Sequence, residues 1–214
     1  MPMNKNNSSL IKKRGRPFDS KKMNSIITNA RRLFAENGFE RTTIDAIAEM
    51  SGVSKMTIYS HFSSKEELFG ATILNKVENE FLTSNSNLDP KNPKDGLEII
   101  ARKFLSLIRK DEVLKTYRAM FASNSTHPDL CLLFYQNGPL KAHNEVAEYL
   151  QKCSEMNSLK ITDSDKAATQ FLSLFLGLGH IKCLLGLGKP SRKEDEELIL
   201  MNLELFIKSK SANP

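Results

Sequence analysis

A chain of 214 residues in which 40% of side chains are hydrophobic has enough apolar surface for a substantial core, which excludes a disordered polypeptide. The net charge of +6 is unevenly spread: residues 1–65 hold 12 Lys/Arg against 5 Asp/Glu, and the remainder holds 19 against 20. That asymmetry points to a polyanionic partner, nucleic acid before membrane surface, with a merely solubilising basic tail as the alternative.

The first residues are Asn- and Ser-rich, then basic, with no apolar stretch behind them, so no secretory signal is expected. The most apolar run, Phe171 to Leu187, is interrupted by His180, Lys182 and several glycines, which argues against a membrane span. Cys131, Cys153 and Cys183 are odd in number, far apart and without a Cys-x-x-Cys pair. They read as buried filler in a reducing cytosol, and the location expected is cytoplasmic.

Helical periodicity runs through the chain and strand alternation does not, so the fold class expected is all-α. Residues 1–19 read as a flexible basic arm. Helix one is predicted from Ser20 to Asn37, burying Met23, Ile26, Ile27, Ala30, Leu33 and Phe34, with Gly38 ending it. A compact stretch from Thr42 to Phe62 follows. The next helix opens at Ser63 or Ser64, each three residues before a Glu, and turns Phe69, Ile73, Val77 and Phe81 inward. Asn85 to Lys94 is the clearest linker. Beyond it come stripes at Leu97–Ile108 and Val113–Phe121, a helix opening at Pro128, a break at Asn137-Gly138-Pro139, and a helix from Leu140 to Cys153. Two last helices are predicted, Asp163–Leu187 and Lys193–Ser209.

The stretch Thr42–Phe62 carries the chemistry. Thr42 with Asp45 makes a cap signature, Ile44, Ile47 and Ala48 face inward, and Gly52 stands where the chain must turn sharply. Ser54 can cap a second short helix, whose Ile58 and Phe62 pack inward. Two short helices joined by a glycine turn make a helix-turn-helix, and the second enters the major groove. The string Phe34-Ala-Glu-Asn-Gly-Phe39, Thr42-Thr43, Ile47-Ala48, Gly52-Val53-Ser54, Tyr59, His61-Phe62 and Ser64-Lys65-Glu66-Glu67-Leu68 resembles the TetR/AcrR family of bacterial regulators. Phe134-Tyr-Gln-Asn-Gly-Pro139 and Phe171 to Leu187 look like the AefR-type C-terminal region found in part of that family.

The resemblance implies a three-helix DNA-binding domain at residues 20–65 and a larger helical domain at 66–214 for ligand binding and dimerisation. It implies that Tyr59, His61 and Lys65 hold phosphates, with Thr42 or Thr43 at the preceding helix start. Ser54, Lys55, Met56, Thr57 and Ser60 lie at the front of the recognition helix, the last four to meet base edges. Two residues depart from the family pattern. Ser51 replaces the usual Ala, and Met56 stands where Gly or Ala is common, which suits an individual base preference such as a thymine methyl.

In the arm, Arg14-Gly-Arg16-Pro17 resembles the core of an AT-hook, whose arginines use the negative potential of a narrow minor groove. Non-specific attraction by disordered charge is the competing reading.

In the C-terminal half, Ala167, Phe171, Leu174, Leu178, Ile181 and Leu185 follow alternating four- and three-residue steps, a coiled-coil-like seam. The last helix, with Leu198, Met201 and Leu205 among its apolar residues, is greasy on nearly every side and must be covered twice. A partner subunit is the expected second cover, giving a homodimer. Candidates for a small-ligand pocket are Phe104, Ile108, Tyr117, Met120, Phe121, Phe175 and His180, with ordinary core packing as the alternative for each. His61, His127, His143 and His180 have no metal spacing, no catalytic constellation stands out, and neither enzyme activity nor a cofactor is expected. The function expected is a sequence-specific repressor released from operator DNA by a small apolar or aromatic effector. An architectural DNA-coating protein without an effector is the alternative.

Overall fold

The computed structural model describes residues 20–82 and 88–211, and these contain helices and no strand. The arm, with Arg14 and Arg16, lies outside the described residues. The elements are α1 (Ser20–Arg41), α2 (Ile44–Ser51), α3 (Lys55–Tyr59), α4 (Lys65–Val77), α5 (Pro93–Ile108), α6 (Asp111–Ser123), α7 (Pro128–Asn137), α8 (Pro139–Glu155), α9 (Ser164–Ser173), α10 (Leu178–Leu184) and α11 (Arg192–Lys210). A π-helical turn, Glu78–Leu82, extends α4. Among the described residues no single helix is long and apolar enough to cross a membrane.

Local chemistry sets most boundaries. Gly38 adopts φ 79°, a left-handed conformation that breaks α1 where the sequence places its end. Ser64 accepts from the Glu67 amide and Glu67 reaches back to the Ser63 amide at 2.6 Å, so both serines share the start of α4. Ser191 and Glu194 close a reciprocal capping box on α11. Pro128 and Pro139 each occupy a first helical turn, where the missing N–H is not needed.

Two apolar clusters organise the chain. The first joins α1 (Ile26, Ala30, Phe34), α2 (Ile47, Ala48) and Ile58 and Phe62 to the start of α4, and continues into Met120 of α6 and Leu130 and Phe134 of α7. Phe34 meets Phe69 edge-on at 5.3 Å within it. The second gathers Val77 and Phe81 with α5, α8, α9 and α11. The reading head is therefore packed directly on α6 and α7.

One prediction is corrected. The helix expected from Asp163 to Leu187 is two helices, α9 and α10, bent by 68°. The Asn202 side chain of α11 donates to the Leu174 carbonyl at 2.8 Å, occupying an acceptor that a continuing helix would use itself. Gly177 then opens α10 from an extended conformation rather than sitting inside a helix. The seam splits with it. Phe171, expected at a dimer face, is fully buried in its own subunit between Phe175 and Phe206, at 5.3 and 5.0 Å. Leu174 packs against the same core from its edge. Leu178, Ile181 and Leu185 point to solvent, as do Met201 and Leu205 on the outer face of α11, while Leu198 is half-buried.

Candidate nucleic-acid interface

The helix-turn-helix is built from short-range hydrogen bonds. Gly52 takes φ 66° and its amide reaches the carbonyls of Ala48 and Glu49, closing α2. Ser54 accepts from the Thr57 amide at 3.1 Å and starts α3. Ile58 is completely buried, which turns the opposite side of α3 outward. Helix α1 holds the pair in place from behind. Ser25 Oγ donates to the Ser51 carbonyl at 3.4 Å, and Asn29 Nδ2 donates to the Met50 carbonyl at 3.2 Å and to Ser51 Oγ at 3.4 Å. Ser51 thus adds a polar tie to α1 that alanine lacks. Sequence reasoning missed Ser25 and Asn29, although two polar residues four apart beside a buried helical stripe were a legible signal.

The outward side of α3 presents Lys55, Met56, Thr57, Tyr59 and Ser60. Met56 is 76% exposed, so its side chain is open to a base edge. Tyr59 is half exposed, and His61 is half-buried beside it. Lys55 pairs with Asp45 of α2 at 2.5 Å. Both groups are well exposed, so the pair is weak and the lysine can swing to DNA. Ser54 and Thr57 share a hydroxyl contact at 2.9 Å, and Ser60 Oγ donates to the Thr57 carbonyl at 2.7 Å.

Two expectations change. Thr42 neither caps α2 nor reaches a phosphate with its side chain: it is buried, and its hydroxyl meets the carbonyls of Leu33 (3.1 Å) and Gly38 (2.7 Å). Thr43 is the cap, accepting from the Ala46 amide at 3.2 Å, and it is exposed. Lys65 is engaged inside the head. Its ammonium donates to the carbonyls of Phe39 (3.0 Å) and Thr42 (3.2 Å) and lies 4.2 Å from the Phe39 ring centre. It satisfies carbonyls freed where α1 ends, which leaves one donor for a phosphate.

Behind the head lies an apolar cavity of about 70 Å³, bordered by α1, α4, α5, α6 and the α7–α8 corner. Phe104, Ile108 and Tyr117 line it as expected, with Phe134 and Ala142 beside them. Desolvation pushes the Tyr117 hydroxyl up to about 12, so it meets any occupant as a neutral phenol. Four other pocket candidates do not border this cavity. Met120 is packed into the reading-head cluster, Phe121 lies one turn beyond Tyr117 with its ring centre 6.1 Å from that of Tyr117 but is 61% exposed, and Phe175 is buried in the second core. His180 faces a separate crevice near Arg109, with its Nδ1 buried and without a hydrogen-bond partner. Burial and the nearby guanidinium push its pKa down, so it is neutral. Sequence reasoning also missed Arg31, Ala35 and Lys76, which belong to the cavity wall; α1 read as part of the DNA-binding domain alone.

Comparison with known proteins decides what this arrangement is. Residues 26–72 match the family described as bacterial regulatory proteins, tetR family, and residues 95–208 match the AefR-like transcriptional repressor C-terminal domain, more than half of the chain. The chain belongs to the TetR family.

It resembles the HTH-type transcriptional regulator YhgD of Bacillus subtilis, 26% identical over 199 residues, 92% of this chain and 99% of YhgD. IcaR of Staphylococcus aureus strain MW2, a negative regulator of the biofilm operon icaADBC, is 23% identical over 86% of this chain and 97% of its own length. Among solved structures, the flavonoid-responsive regulator FrrA is 30% identical, with a TM-score of 0.69 over 91% of this chain and 99% of FrrA. This TetR-family chain is accordingly a DNA-binding transcriptional regulator.

Its Met56 makes a direct test of base reading. Selection of half-sites from a randomised pool is expected to return an altered motif for Met56→Ala and for Lys55→Ala. Tyr59→Phe is expected to keep the motif and weaken all sequences alike, because phosphates carry no base identity. An unchanged motif for both of the first two variants would remove α3's front from the readout.

Proposed function

We propose that the protein is a repressor that binds a two-fold operator as a homodimer and leaves it when a small apolar or aromatic molecule occupies the cavity. Its reading head is residues 20–65, its effector and dimerisation part is 66–214, and the arm preceding residue 20 adds charge or minor-groove contacts. Its place of work is the cytoplasm, on the nucleoid when bound to DNA. Exposed Ser54, Thr43 and the front of α3, with Tyr59, His61 and the remaining donor of Lys65, form the contact surface.

The observation that carries this reading is the position of α1 in the cavity wall. Arg31 and Ala35 belong to the reading head and yet border the same space as Phe104 and Tyr117, so an occupant bears directly on the head. Helix α6 extends the connection. Its Met120 packs in the head's core, and its Arg118 donates to the carbonyls of Leu184 and Cys183 at 2.7 Å each, next to the exposed apolar face of α10. The enclosed space is small beside the roughly 300–1,000 Å³ of ordinary ligand sites, so a ring-sized occupant presses on its walls. Spreading them favours a different head position, and an effector acts only through such a difference in affinity between states. FrrA, named as flavonoid-responsive, supports a response to a small aromatic molecule.

The test begins with selection of bound duplexes, which is expected to return discrete palindromes. Broad A·T-rich coverage would instead make the protein architectural. Anisotropy on the selected duplex, titrated with flavones and naphthalene derivatives, is then expected to show release. Ala142→Leu, which fills the cavity from α8, is expected to raise the releasing concentration at least about tenfold, since one methylene in an apolar pocket is worth about 1–3 kcal/mol. Operator affinity without compound stays near wild type. A normal response from Ala142→Leu would move the effector elsewhere.

A further inference from the structure

Three charged side chains border the otherwise apolar cavity, and they do not cancel. Arg31 of α1 and Lys76 of α4 face Glu112 of α6, two cations against one carboxylate. Lys76 Nζ donates to Glu112 Oε1 and pairs with Glu80 Oε1 at 2.5 Å. Arg31 Nε lies 3.9 Å from Glu112 Oε2, and its Nη1 donates to Asn75 Oδ1 at 3.5 Å. Glu80 is shared in turn with Lys110 at 2.8 Å. One carboxylate therefore ties the reading head and α4 to α6.

The two partners of this tie differ in exposure. The Lys76 side chain is nearly buried, while Glu112 has 38% of its side chain in solvent. Lys76 keeps Glu80 as an anionic neighbour in either state, and Glu112, the more exposed of its two partners, can be released to water at smaller cost. A neutral apolar occupant would leave the tie intact. An occupant with its own carboxylate could replace Glu112 at Lys76, exchanging one charged contact for an equivalent one while its apolar body gains burial.

We propose that the effector carries an anionic group beside its apolar body, and that this group displaces Glu112 from Lys76 and Arg31 and so unties α1 from α6. The proposal rests on the cavity being the effector site. In this proposal the contact holds the arrangement that binds operator, so effector and operator oppose each other by linkage. Arg31, Lys76 and Lys110 against Glu80 and Glu112 leave one excess cation, which selects the sign of the ligand, and the apolar walls select its body.

Two probes with one ring system separate the terms: 2-naphthoate, anionic at neutral pH, and 2-naphthalenemethanol, which is neutral. Binding is followed by naphthalene fluorescence and calorimetry, and release by anisotropy on the selected duplex. The wild-type chain is expected to bind the acid at least about tenfold more tightly than the alcohol, the factor that about 1.4 kcal/mol produces. The acid is expected to release DNA. Glu112→Gln removes the internal competitor, so the acid should bind more tightly still, the alcohol should be unchanged, and DNA should be held less firmly. Lys76→Met should erase the acid's advantage. Should that variant fail to fold, Glu112→Gln decides alone, since its effect on the acid is a gain that structural damage would not produce. Equal affinities for the two probes, or an acid-to-alcohol ratio unchanged in Glu112→Gln, would overturn the anionic effector and leave the cavity reading standing. Acid bound without loss of DNA would overturn the tie as the switch. If neither compound binds, the cavity reading and the inference fall together.

Discussion

Leu178→Glu is expected to convert the protein from a dimer to a monomer and to abolish tight operator binding. Leu178 is 78% exposed in the single subunit and stands with exposed Ile181 and Leu185 on α10, while α11 exposes Met201 and Leu205. Exposed apolar residues grouped in this way mark an interaction surface, and the two-fold operator expected for this family calls for a second copy of the same surface. A carboxylate at its centre would be buried without a partner in the dimer and left in water in the monomer, so association carries the whole cost. Two heads must be held about 34–36 Å apart to reach successive major grooves. A monomer has one head, and its affinity should drop toward the non-specific level, at least about 10³-fold. Sedimentation velocity and anisotropy measure both effects. The substituted side chain is exposed in the monomer, so the helical circular dichroism should persist. A wild-type chain that sediments as a monomer would refute the assignment of this face.

Gly96→Ala is expected to destabilise the fold, against the usual gain from replacing a helical glycine. A Cβ at Gly96 of α5 would lie 1.9 Å from the Tyr149 hydroxyl oxygen and 2.4 Å from the ring carbon bearing it. Tyr149 of α8 is buried, and its hydroxyl donates to the Asp89 carbonyl at 3.2 Å, so the ring has little room to withdraw. Overpacking of this kind costs about 1–3 kcal/mol. Alanine recovers at most about 1 kcal/mol of helix propensity. The clash wins, and the melting temperature should fall by several degrees, at about 2–4 °C for each kcal/mol in a chain of this size. Tyr149→Phe removes the nearest atom. Gly96→Ala should therefore cost less in the Tyr149→Phe background than in wild type, a coupling that a double-mutant cycle reads directly. Additive losses would show that the ring and the α5 backbone do not limit each other.

The reading head was legible from sequence because its determinants are local. Gly52, Ser54 and the inward residues Ile47, Ala48 and Ile58 act within one or two helical turns, and each is found in the role its residue type implies. The choice between Thr42 and Thr43 was not legible. Both can cap, and only the path of the chain after Gly38 decides which hydroxyl meets the Ala46 amide and which is sealed under α1. Lys65 likewise reads as a surface charge until the end of α1 brings two free carbonyls to it.

In the C-terminal half, composition and periodicity establish greasy helices, but an apolar side chain facing a core and one facing a partner look identical in a sequence. Phe171 and Leu178 belong to one heptad-like series, and the bend between α9 and α10 sends the first inward and the second outward. The residue that holds the bend, Asn202, lies 28 positions beyond Leu174, so no local pattern could announce it. The cavity has the same origin. Phe104, Ile108 and Tyr117 could be named from their stripes, whereas Met120 and Phe121 continue the stripe of Tyr117 and do not border the cavity, because Met120 packs into the head's core and Phe121 is left largely in solvent. Arg31, Lys76 and Glu112 come from three helices that only tertiary packing brings to one wall. Sequence determined the helices, their caps and the DNA-reading motif, since these depend on contacts within a few residues. Tertiary structure decided which apolar surface is core, which is interface and where charge meets the cavity, since those depend on which helices lie side by side.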